Sequence, residues 1–432
     1  MKLKFLAAVV AAAGAFASVP EAGAAEHIVA IRAGKLVDVV AGKVLADQTI
    51  LVSGERILAV GPSATVAVPA GAGRIDLSGA TVLPGLVDAH VHLTGDPHLH
   101  GYKSLGVSDI RAAMYGVHAA RLTLEAGFTT VRNVGAGGFG DVALRDAIDE
   151  GELQGPRMRG AGYAIGIRGG HCDNNLLPAD YHYTENGVAD GPWQARAKVR
   201  EMAKYGADTI KICASGGVLS KGDEAGAQQL TLEEMQAIAE EAHKLGRRVA
   251  AHAHGASSIR DAILAGVDSV EHGSLIDDEG IRLAREKGTY LVMDIYNDDY
   301  ILQEGAKAGM LPESLEKEKM VGRIQRENFQ KAFRAGVKMA FGTDAGVYPH
   351  GDNARQFHYM VKYGMTPMQA IQAATINGAD LLGWKDRIGS VSAGKYADLI
   401  AVGGDPLADP AELTHVTFVM KGGAVVKSAP LK

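Results

Sequence analysis

Cysteine is scarce in this sequence, and long runs of like charge are absent. Only 2 of the 432 residues are cysteines, too few for the disulfide framework of a small secreted domain. Lysine and arginine total 44 against 50 acidic residues, a net charge of −6, which argues against a nucleic-acid-binding protein. With 47% hydrophobic and 22% charged residues, the composition also excludes a disordered chain and allows a large packed core.

No apolar run long enough to span a membrane follows the N-terminal region. Lys2 and Lys4 precede an apolar stretch at 5–19, and residues 22–24 have the small-x-small pattern of a cleavage site. We therefore predict that residues 1–24 are a signal peptide and that the mature protein is exported, periplasmic or secreted, with no membrane partner. The alternative, a membrane anchor, is disfavoured because a spanning helix needs about 18 apolar residues.

The remaining chain predicts an α/β protein of two parts. Residues 25–80 and 386–432 contain short alternating apolar runs between glycine and aspartate turns, so we expect both segments to form one small β-sandwich domain. In residues 81–385 strand-like and helix-like patterns alternate eight times, which predicts a (β/α)8 TIM-type barrel. The strands are expected near residues 81–93, 129–134, 157–164, 209–214, 249–254, 269–272, 290–295 and 339–343.

Two of the expected barrel helices carry a recognisable start signal. Thr231 is followed three residues later by Glu234, and an apolar stripe continues to residue 245, which predicts a helix with a capping box. Thr366 and Gln369 have the same spacing around a proline, so a second helix is expected to begin there.

Side chains that bind metals concentrate at the C-terminal ends of five of the eight expected strands, where barrel enzymes carry their catalytic groups. His90 and His92 share one face of their strand because side chains alternate with a period of two, and they can chelate one ion. A lone histidine is more often structural, but this ordered set predicts a shared metal centre. The candidates are His90, His92, Lys211, His252 or its neighbour His254, His272 and Asp344.

Lys211 is the unusual member of this set, because a cationic ammonium repels divalent ions. A carbamate formed with carbon dioxide would convert it into an anionic oxygen ligand, able to bridge two cations about 3.5 to 4 Å apart. The alternative is a structural lysine held in an ion pair.

Six motifs in this order resemble the amidohydrolase superfamily, in the imidazolonepropionase-like or Xaa-Pro dipeptidase branch that includes ochratoxin A-hydrolysing enzymes. The motifs are PGLVDAHVH (84–92), IKICASGGV (210–218), AHAHG (251–255), VEHG (270–273), FGTDAG (341–346) and IGSVSAGKYADL (388–399). The resemblance implies two divalent ions, expected to be zinc, and a homo-octamer. The implied ligands are His90 and His92 on the first ion, a carboxylated Lys211 bridging both, His252 and His272 on the second, and Asp344.

This ligand set predicts a hydrolase in which Asp344 takes a proton from the attacking water and passes it to the leaving nitrogen. We expect a small N-acyl amino acid or dipeptide-like substrate, including hydrolysis of ochratoxin A to phenylalanine and ochratoxin alpha. The alternative is a cyclic-amide hydrolase or a deaminase of a small heterocycle, although residues 252–255 lack the glutamate that deaminating relatives typically use. A scaffold without catalytic activity is a third reading, against which the intact ligand set argues.

Substrate contacts are expected from the loops that follow the strands, the longest of which spans 165–192. Its cationic and aromatic side chains suit a substrate with a carboxylate and an apolar ring, although an ordinary surface loop fits the same pattern. Cys172 and Cys213 are either a disulfide, which export would permit, or buried free thiols. The candidate substrate-binding residues are Arg168, His171, Ser215, Val218, His254, Tyr296 and His350.

Overall fold

The two β-rich ends of the chain share one hydrogen-bonded sheet in the computed structural model, which describes residues 28–430; the expected signal peptide lies outside them. Its strands are β1 (Ile28–Asp38), β2 (Lys43–Ser53), β3 (Arg56–Pro62), β4 (Gly73–Pro84), β12 (Leu399–Val402), β13 (Val416–Lys421) and β14 (Ala424–Ser428). They lie in the order β14-β13-β12-β4-β1-β2-β3. β4 joins the two ends, because it pairs in parallel with β1 and antiparallel with β12.

One face of this sheet is apolar. Ile31, Ile50, Val82, Leu399 and Met420 are buried in a single cluster, as expected for strands whose alternate side chains face a core. β4 runs through residue 80, so the expected domain boundary falls inside a strand. A two-layered sandwich stays a prediction.

The central region contains seven parallel strands. They are β5 (Leu86–Val91), β6 (Phe128–Asn133), β7 (Arg157–Arg159), β8 (Thr209–Cys213), β9 (Arg248–Ala253), β10 (Ser269–His272) and β11 (Tyr290–Val292). β5-β6-β7 form one sheet and β11-β10-β9-β8 another, and every pairing is parallel. Every residue of β5, β6, β8 and β10 is buried, as expected for a parallel sheet covered on both faces.

The expected eighth strand is irregular. Residues 339–343 form no continuous strand, but isolated parallel bridges join Met339 to Leu291 and Ala345 to Val91. Within this segment, a Cβ at position 342 would collide with Val292 and touch His90, so only glycine fits there. A third parallel bridge joins Ile165 to Ile212, between the two sheets. The segment 339–345 therefore bridges β11 and β5, and the segment after β7 bridges to β8.

Helices follow the strands as expected. They are α1 (Asp109–Glu125), α2 (Gly140–Asp149), α3 (Pro192–Lys204), α4 (Leu232–Lys244), α5 (Ala256–Ala265), α6 (Asp278–Lys287), α7 (Asn297–Ala308), α8 (Pro312–Arg334), α9 (Gln356–Lys362), α10 (Pro367–Gln372) and α11 (Gly378–Leu381). The capping boxes predicted at Thr231 and Thr366 are both confirmed. Among residues 28–430, no helix is long and apolar enough to cross a membrane.

The connection after β11 is largely helical. It consists of two consecutive helices, α7 and the 23-residue α8, packed against each other. The buried positions Val321, Gln325 and Phe329 of α8 recur at helical spacing, so this face is turned towards the strands.

Candidate active site

The six predicted metal ligands lie around one cavity of about 750 Å³ at the C-terminal ends of the parallel strands. β5, β9 and β10 contribute side chains at or beside their C-terminal ends, and β8 contributes Lys211 from its middle. The segment after residue 343 contributes Asp344. The ligand candidates that line the cavity are His90, His92, Lys211, His252, His254, His272 and Asp344. Parallel strands bring their C-terminal ends to one edge, so residues far apart in sequence converge there.

His90 is oriented by a buried network of charges. Its Nδ1 lies 2.9 Å from Glu271 Oε2, and the guanidinium of Arg132 donates to the other oxygen of Glu271 at 2.8 Å. Burial alone would raise the pKa of Glu271, but Arg132 and His90 outweigh it and hold that pKa well below its usual range. The ionised Glu271 fixes the ring of His90 and leaves Nε2 facing the cavity.

The Nε2 atom of His90 is a buried polar atom without a hydrogen bond in the described part of the chain. It lies 3.2 Å from Asp344 Oδ1, but not with hydrogen-bond geometry. Buried nitrogens are rarely left unsatisfied, so this atom fits a metal ligand.

His272 is held in a similar way. Its Nδ1 lies 2.9 Å from Asp294 Oδ1, and Gln325 of α8 donates to the same oxygen at 2.9 Å. His272 and Asp344 also have positive φ angles of 67° and 58°, which cost a non-glycine residue about 1–3 kcal/mol and are common at functional sites. The surrounding contacts therefore hold both residues in backbone conformations that are unfavourable in themselves.

Two groups of side chains have the geometry to bind a cation. In the first, His90, His272 and Asp344 offer ligand atoms within 4.8 Å of one another, and His252, His254 and His272 do the same in the second. Imidazole nitrogens with a carboxylate are the donors that zinc prefers. Since His252 and His254 both fall in the second group, the choice of His252 stays a prediction.

Lys211 is the middle residue of β8 and is only 4% exposed. Burial lowers its pKa to about 8, against the opposing effect of Glu271. Within residues 28–430 its Nζ forms no ion pair or hydrogen bond, but the charges of Glu271 and Asp344 act on it. The carboxylated ligand and the structural lysine therefore both stay predictions.

His171 and His252 form a stack on one wall of the cavity. Their ring centroids are 4.0 Å apart with an interplanar angle of 16°, and His171 Nδ1 lies 2.9 Å from Ser220 Oγ. Burial lowers the pKa of His171 to about 4 and that of His252 well below its usual value. Both rings are therefore neutral near pH 7, the state a metal ligand needs.

The open question about the cysteines is answered by a disulfide between Cys172 and Cys213, whose Cα atoms are 6.0 Å apart. Both residues line the cavity. The bond ties the loop that carries His171 to the end of β8, two residues after Lys211.

The structure brings only part of the predicted substrate-binding set to the cavity. His171, Val218 and His254 line it. Arg168 does not: its side chain is 69% exposed and lies 3.4 Å from Asp190. The cation expected to bind a substrate carboxylate is thus paired within its own loop, outside the cavity.

Ser215, Tyr296 and His350 also lie outside the lining, in supporting positions. The Ser215 hydroxyl accepts a hydrogen bond from the backbone N–H of His254 at 2.9 Å. Tyr296 packs edge-to-face on Tyr348, and His350 Nε2 lies 3.0 Å from the carbonyl oxygen of Gly95.

Several residues that shape the site were not predicted from the sequence. Glu271 and Arg132 carried a usable signal, because each is a charged residue inside an otherwise buried strand and such charges are almost always paired. Asp294 and Gln325 carried none, since their contact with His272 depends on how α8 packs.

This arrangement, parallel strands alternating with helices and a cluster of histidines and an aspartate at the strand ends, is that of a metal-dependent hydrolase. The family model described as "Amidohydrolase family" matches residues 81–426. The chain belongs to this amidohydrolase family, and it is an enzyme that hydrolyses amide or peptide C–N bonds.

Individual relatives agree with this assignment. The chain is 34% identical over 369 residues to the ochratoxinase of Aspergillus niger, covering 80% of this chain and 75% of that protein. It is 27% identical over 397 residues to the imidazolonepropionase of Erwinia tasmaniensis, covering 86% and 90%. A crystal structure of a Xaa-Pro dipeptidase with bound methionine in the active site superposes with a TM-score of 0.86 at 40% identity, covering 92% of this chain and 99% of that one.

Proposed function

We propose that the protein is a binuclear metal-dependent amidohydrolase that cleaves the amide bond of a small N-acyl amino acid or dipeptide-like substrate, ochratoxin A among them. The observation that carries the proposal is the convergence of five imidazoles, a lysine and an aspartate on one cavity. Similarity to ochratoxinase and to a Xaa-Pro dipeptidase supports this substrate class.

The metal-binding roles follow from the chemistry of the donors. The proposed ligands are His90 and His92 for one ion, His252 and His272 for the other, carbamylated Lys211 shared between them, and Asp344. When bound, two divalent cations, expected to be zinc, lower the pKa of a water molecule and polarise the scissile carbonyl.

Lys211 is suited to carbamylation because it is buried, unpaired and less basic than an exposed lysine. Only the neutral amine reacts with carbon dioxide: an N–C bond forms and one proton is lost. A pKa of about 8 leaves a reactive fraction of roughly a tenth at pH 7. The product is an anion, so it removes the repulsion between an ammonium and divalent cations.

Asp344 is the proposed proton carrier. Burial opposes its ionisation, but His90 and His92 outweigh burial and hold its pKa well below the usual range. The carboxylate is therefore free to take a proton from the attacking water and deliver it to the leaving nitrogen. Asn297 Nδ2 donates to Asp344 Oδ2 at 3.3 Å and orients the carboxylate.

The architecture around this site is part of the proposal. The parallel bridges at both sheet edges support a closed (β/α)8 barrel over residues 81–385, with a β-sandwich formed by 25–80 and 386–432. The Cys172–Cys213 disulfide supports export guided by a signal peptide at residues 1–24. A homo-octamer is proposed from the family resemblance.

Metal analysis combined with a substrate panel tests the proposal. We expect about two zinc ions per chain, and a loss of metal and activity in Lys211→Ala but not in the control Lys244→Ala, an exposed lysine of α4. A single ion in both wild type and Lys211→Ala would contradict the bridge. The panel contains ochratoxin A, Xaa-Pro dipeptides and a cyclic imide; hydrolysis of the cyclic imide alone would favour the cyclic-amide alternative.

A further inference from the structure

The loop after β5 contributes to the cavity a histidine that is not one of the proposed metal ligands. His100 lines the cavity, and its Nε2 lies 3.2 Å from the carbonyl oxygen of Val347. A carbonyl oxygen only accepts hydrogen bonds, so Nε2 carries the ring proton and donates it. Burial lowers the pKa of His100, which keeps the ring neutral near pH 7. The other ring nitrogen, Nδ1, is therefore an unprotonated acceptor.

This acceptor is open to the cavity. Within residues 28–430, Nδ1 of His100 has no hydrogen-bond partner, and it is not sealed among protein atoms either. A lone pair in this position is satisfied by a donor that enters the cavity, because polar atoms in protein interiors are rarely left without a partner. His100 therefore suits a ligand group that carries N–H bonds.

Asp96, four residues earlier in the same loop, is a second acceptor on this wall. It lines the cavity, and its Oδ1 accepts a hydrogen bond from the backbone N–H of His98 at 3.0 Å, which leaves Oδ2 available. The charge of Asp96 raises the pKa of His100 against the effect of burial, which shows that the two side chains are close. A carboxylate and a neutral imidazole acceptor thus lie on one side of the cavity.

The charge of the cavity wall indicates the sign of the ligand group. Besides Asp96, the acids Asp109, Glu185 and the buried Glu318 of α8 line the cavity, whereas Lys211 is its sole lysine or arginine among the described residues. A wall of this charge attracts cations. Together with two acceptors it favours an ammonium group, which donates three hydrogen bonds and accepts none.

The two acceptors border the proposed reacting centre. Asp96 follows the ligand His92 by four residues. His100 is held to the turn that begins at Asp344, because the backbone N–H of Val347 donates to the Asp344 carbonyl at 3.0 Å. The α-ammonium nitrogen of a dipeptide is about 2.5 Å from the scissile carbonyl carbon, and a charged hydrogen bond adds about 2.8 Å. Only acceptors beside the metal-ligand cluster can reach it, and residues 96–100 border that cluster.

We propose that Asp96 and His100 bind the α-ammonium group of a dipeptide, so that the enzyme prefers substrates with a free N-terminus over N-acyl amino acids. Asp96 supplies the negative charge, and His100 Nδ1 supplies a neutral acceptor. This inference rests on the proposed amide hydrolysis and divides its substrate class, because ochratoxin A, an N-acylated phenylalanine, becomes a poorer substrate than a dipeptide.

Two substrates that differ only at this ammonium test the proposal, L-alanyl-L-phenylalanine and propionyl-L-phenylalanine, with full-length, zinc-loaded enzyme. We expect kcat/KM of the wild type at pH 7 to favour the dipeptide by about 10- to 100-fold, the effect of one charged hydrogen bond. His100→Phe and Asp96→Asn should each bring this ratio towards one. His100→Gln should keep most of it, because a glutamine amide can donate to Val347 and still accept at Oε1. The control His98→Phe, an exposed histidine of the same loop, should leave the ratio unchanged.

The pH dependence of this ratio separates the proposed site from binding of the amine to the zinc ions. The α-amino group titrates at about pH 8, and the ratio between the two substrates cancels the titrations of the enzyme that they share. An ammonium bound by Asp96 and His100 makes the ratio fall above that pH, whereas a neutral amine bound to zinc makes it rise. A rising ratio, equal kcat/KM values in the wild type at pH 7, or a ratio unchanged in His100→Phe and Asp96→Asn would overturn the proposal.

Calorimetric binding of the acyl-side products distinguishes this inference from the proposed activity. L-alanine should bind the zinc-loaded wild type at least about 10-fold more tightly than propionate at pH 7, and His100→Phe should remove the difference. Equal binding by the wild type, or a difference that persists in His100→Phe, overturns the ammonium site even if both amides are hydrolysed. Alanine-selective binding that depends on His100, without hydrolysis of either amide, supports the ammonium site and contradicts the proposed function instead.

Discussion

Replacing Arg132 with methionine tests whether the buried network behind His90 controls both stability and metal binding. The Arg132 side chain is 2% exposed, and it donates hydrogen bonds to the Ala89 carbonyl at 2.6 Å, Ser269 Oγ at 2.9 Å and Glu271 Oε1 at 2.8 Å. Its loss leaves Glu271 as an uncompensated buried charge. Breaking such a pair costs about 3–5 kcal/mol of unfolding free energy.

The same substitution should weaken metal binding. Arg132 is the strongest influence that keeps the pKa of Glu271 low, so its removal raises that pKa and loosens the hydrogen bond to His90 Nδ1. Loss of a partner that orients a metal ligand typically reduces affinity about 10- to 100-fold. Urea unfolding of the metal-free protein and competitive zinc titration measure the two effects separately.

Arg200→Met is the matched control, because Arg200 also pairs with a glutamate, Glu241 at 2.7 Å, but its side chain is 63% exposed. This loss should stay below about 1 kcal/mol. The double variant Arg132→Met/Glu271→Met should recover stability relative to Arg132→Met, since no buried charge remains, while zinc binding stays weak. The reasoning is refuted if Arg132→Met is no more destabilising than Arg200→Met, or if it binds zinc like the wild type.

Three further outcomes are expected. Asp344→Asn should nearly abolish kcat and keep the wild-type circular dichroism spectrum; near-normal turnover would remove Asp344 from proton transfer. The double variant Cys172→Ser/Cys213→Ser should lose about 4 kcal/mol of unfolding free energy, because the disulfide closes a loop of 41 residues. Its KM should also rise, because the loop that carries His171 is released; an unchanged KM would contradict this role of the loop. Glu318→Gln should gain stability over the metal-free wild type by about 1.4 kcal/mol per pH unit between the unfolded-state pKa near 4.5 and the folded-state pKa of about 8, because in this range the folded wild type keeps Glu318 protonated while its unfolded chain ionises; a difference independent of pH in urea unfolding would show that Glu318 titrates normally.

Sequence periodicity predicted the parts of the fold that depend on local order. The positions of His90, His252 and His272 at strand ends follow from a period of two and from the parallel arrangement of the strands. The capping boxes at Thr231 and Thr366 were equally visible, because each depends on residues three apart.

Other features depend on contacts that sequence patterns do not encode. Arg168 was expected to contact the substrate because of its charge, but it pairs instead with Asp190, 22 residues away in the same loop. The eighth strand was expected to be regular, but this segment forms only isolated bridges at Met339 and Ala345. Glu318 gave no signal, since a glutamate on an otherwise polar helix is usually exposed.

Helix α8 contacts several parts of the site at once. One face of the helix carries Glu318, which lines the cavity, and Gln325, which donates a hydrogen bond to Asp294. The neighbouring Lys317 holds the 217–223 loop by donating hydrogen bonds to the Ser220 carbonyl and to Asp223. Any movement of this helix that adapts the pocket to a new substrate will also shift the support of His272. Substitutions that alter substrate specificity by moving α8 should therefore also weaken metal binding. Variants that change specificity and keep their metal should leave the axis of α8 in place and differ only in the side chains on its inner face.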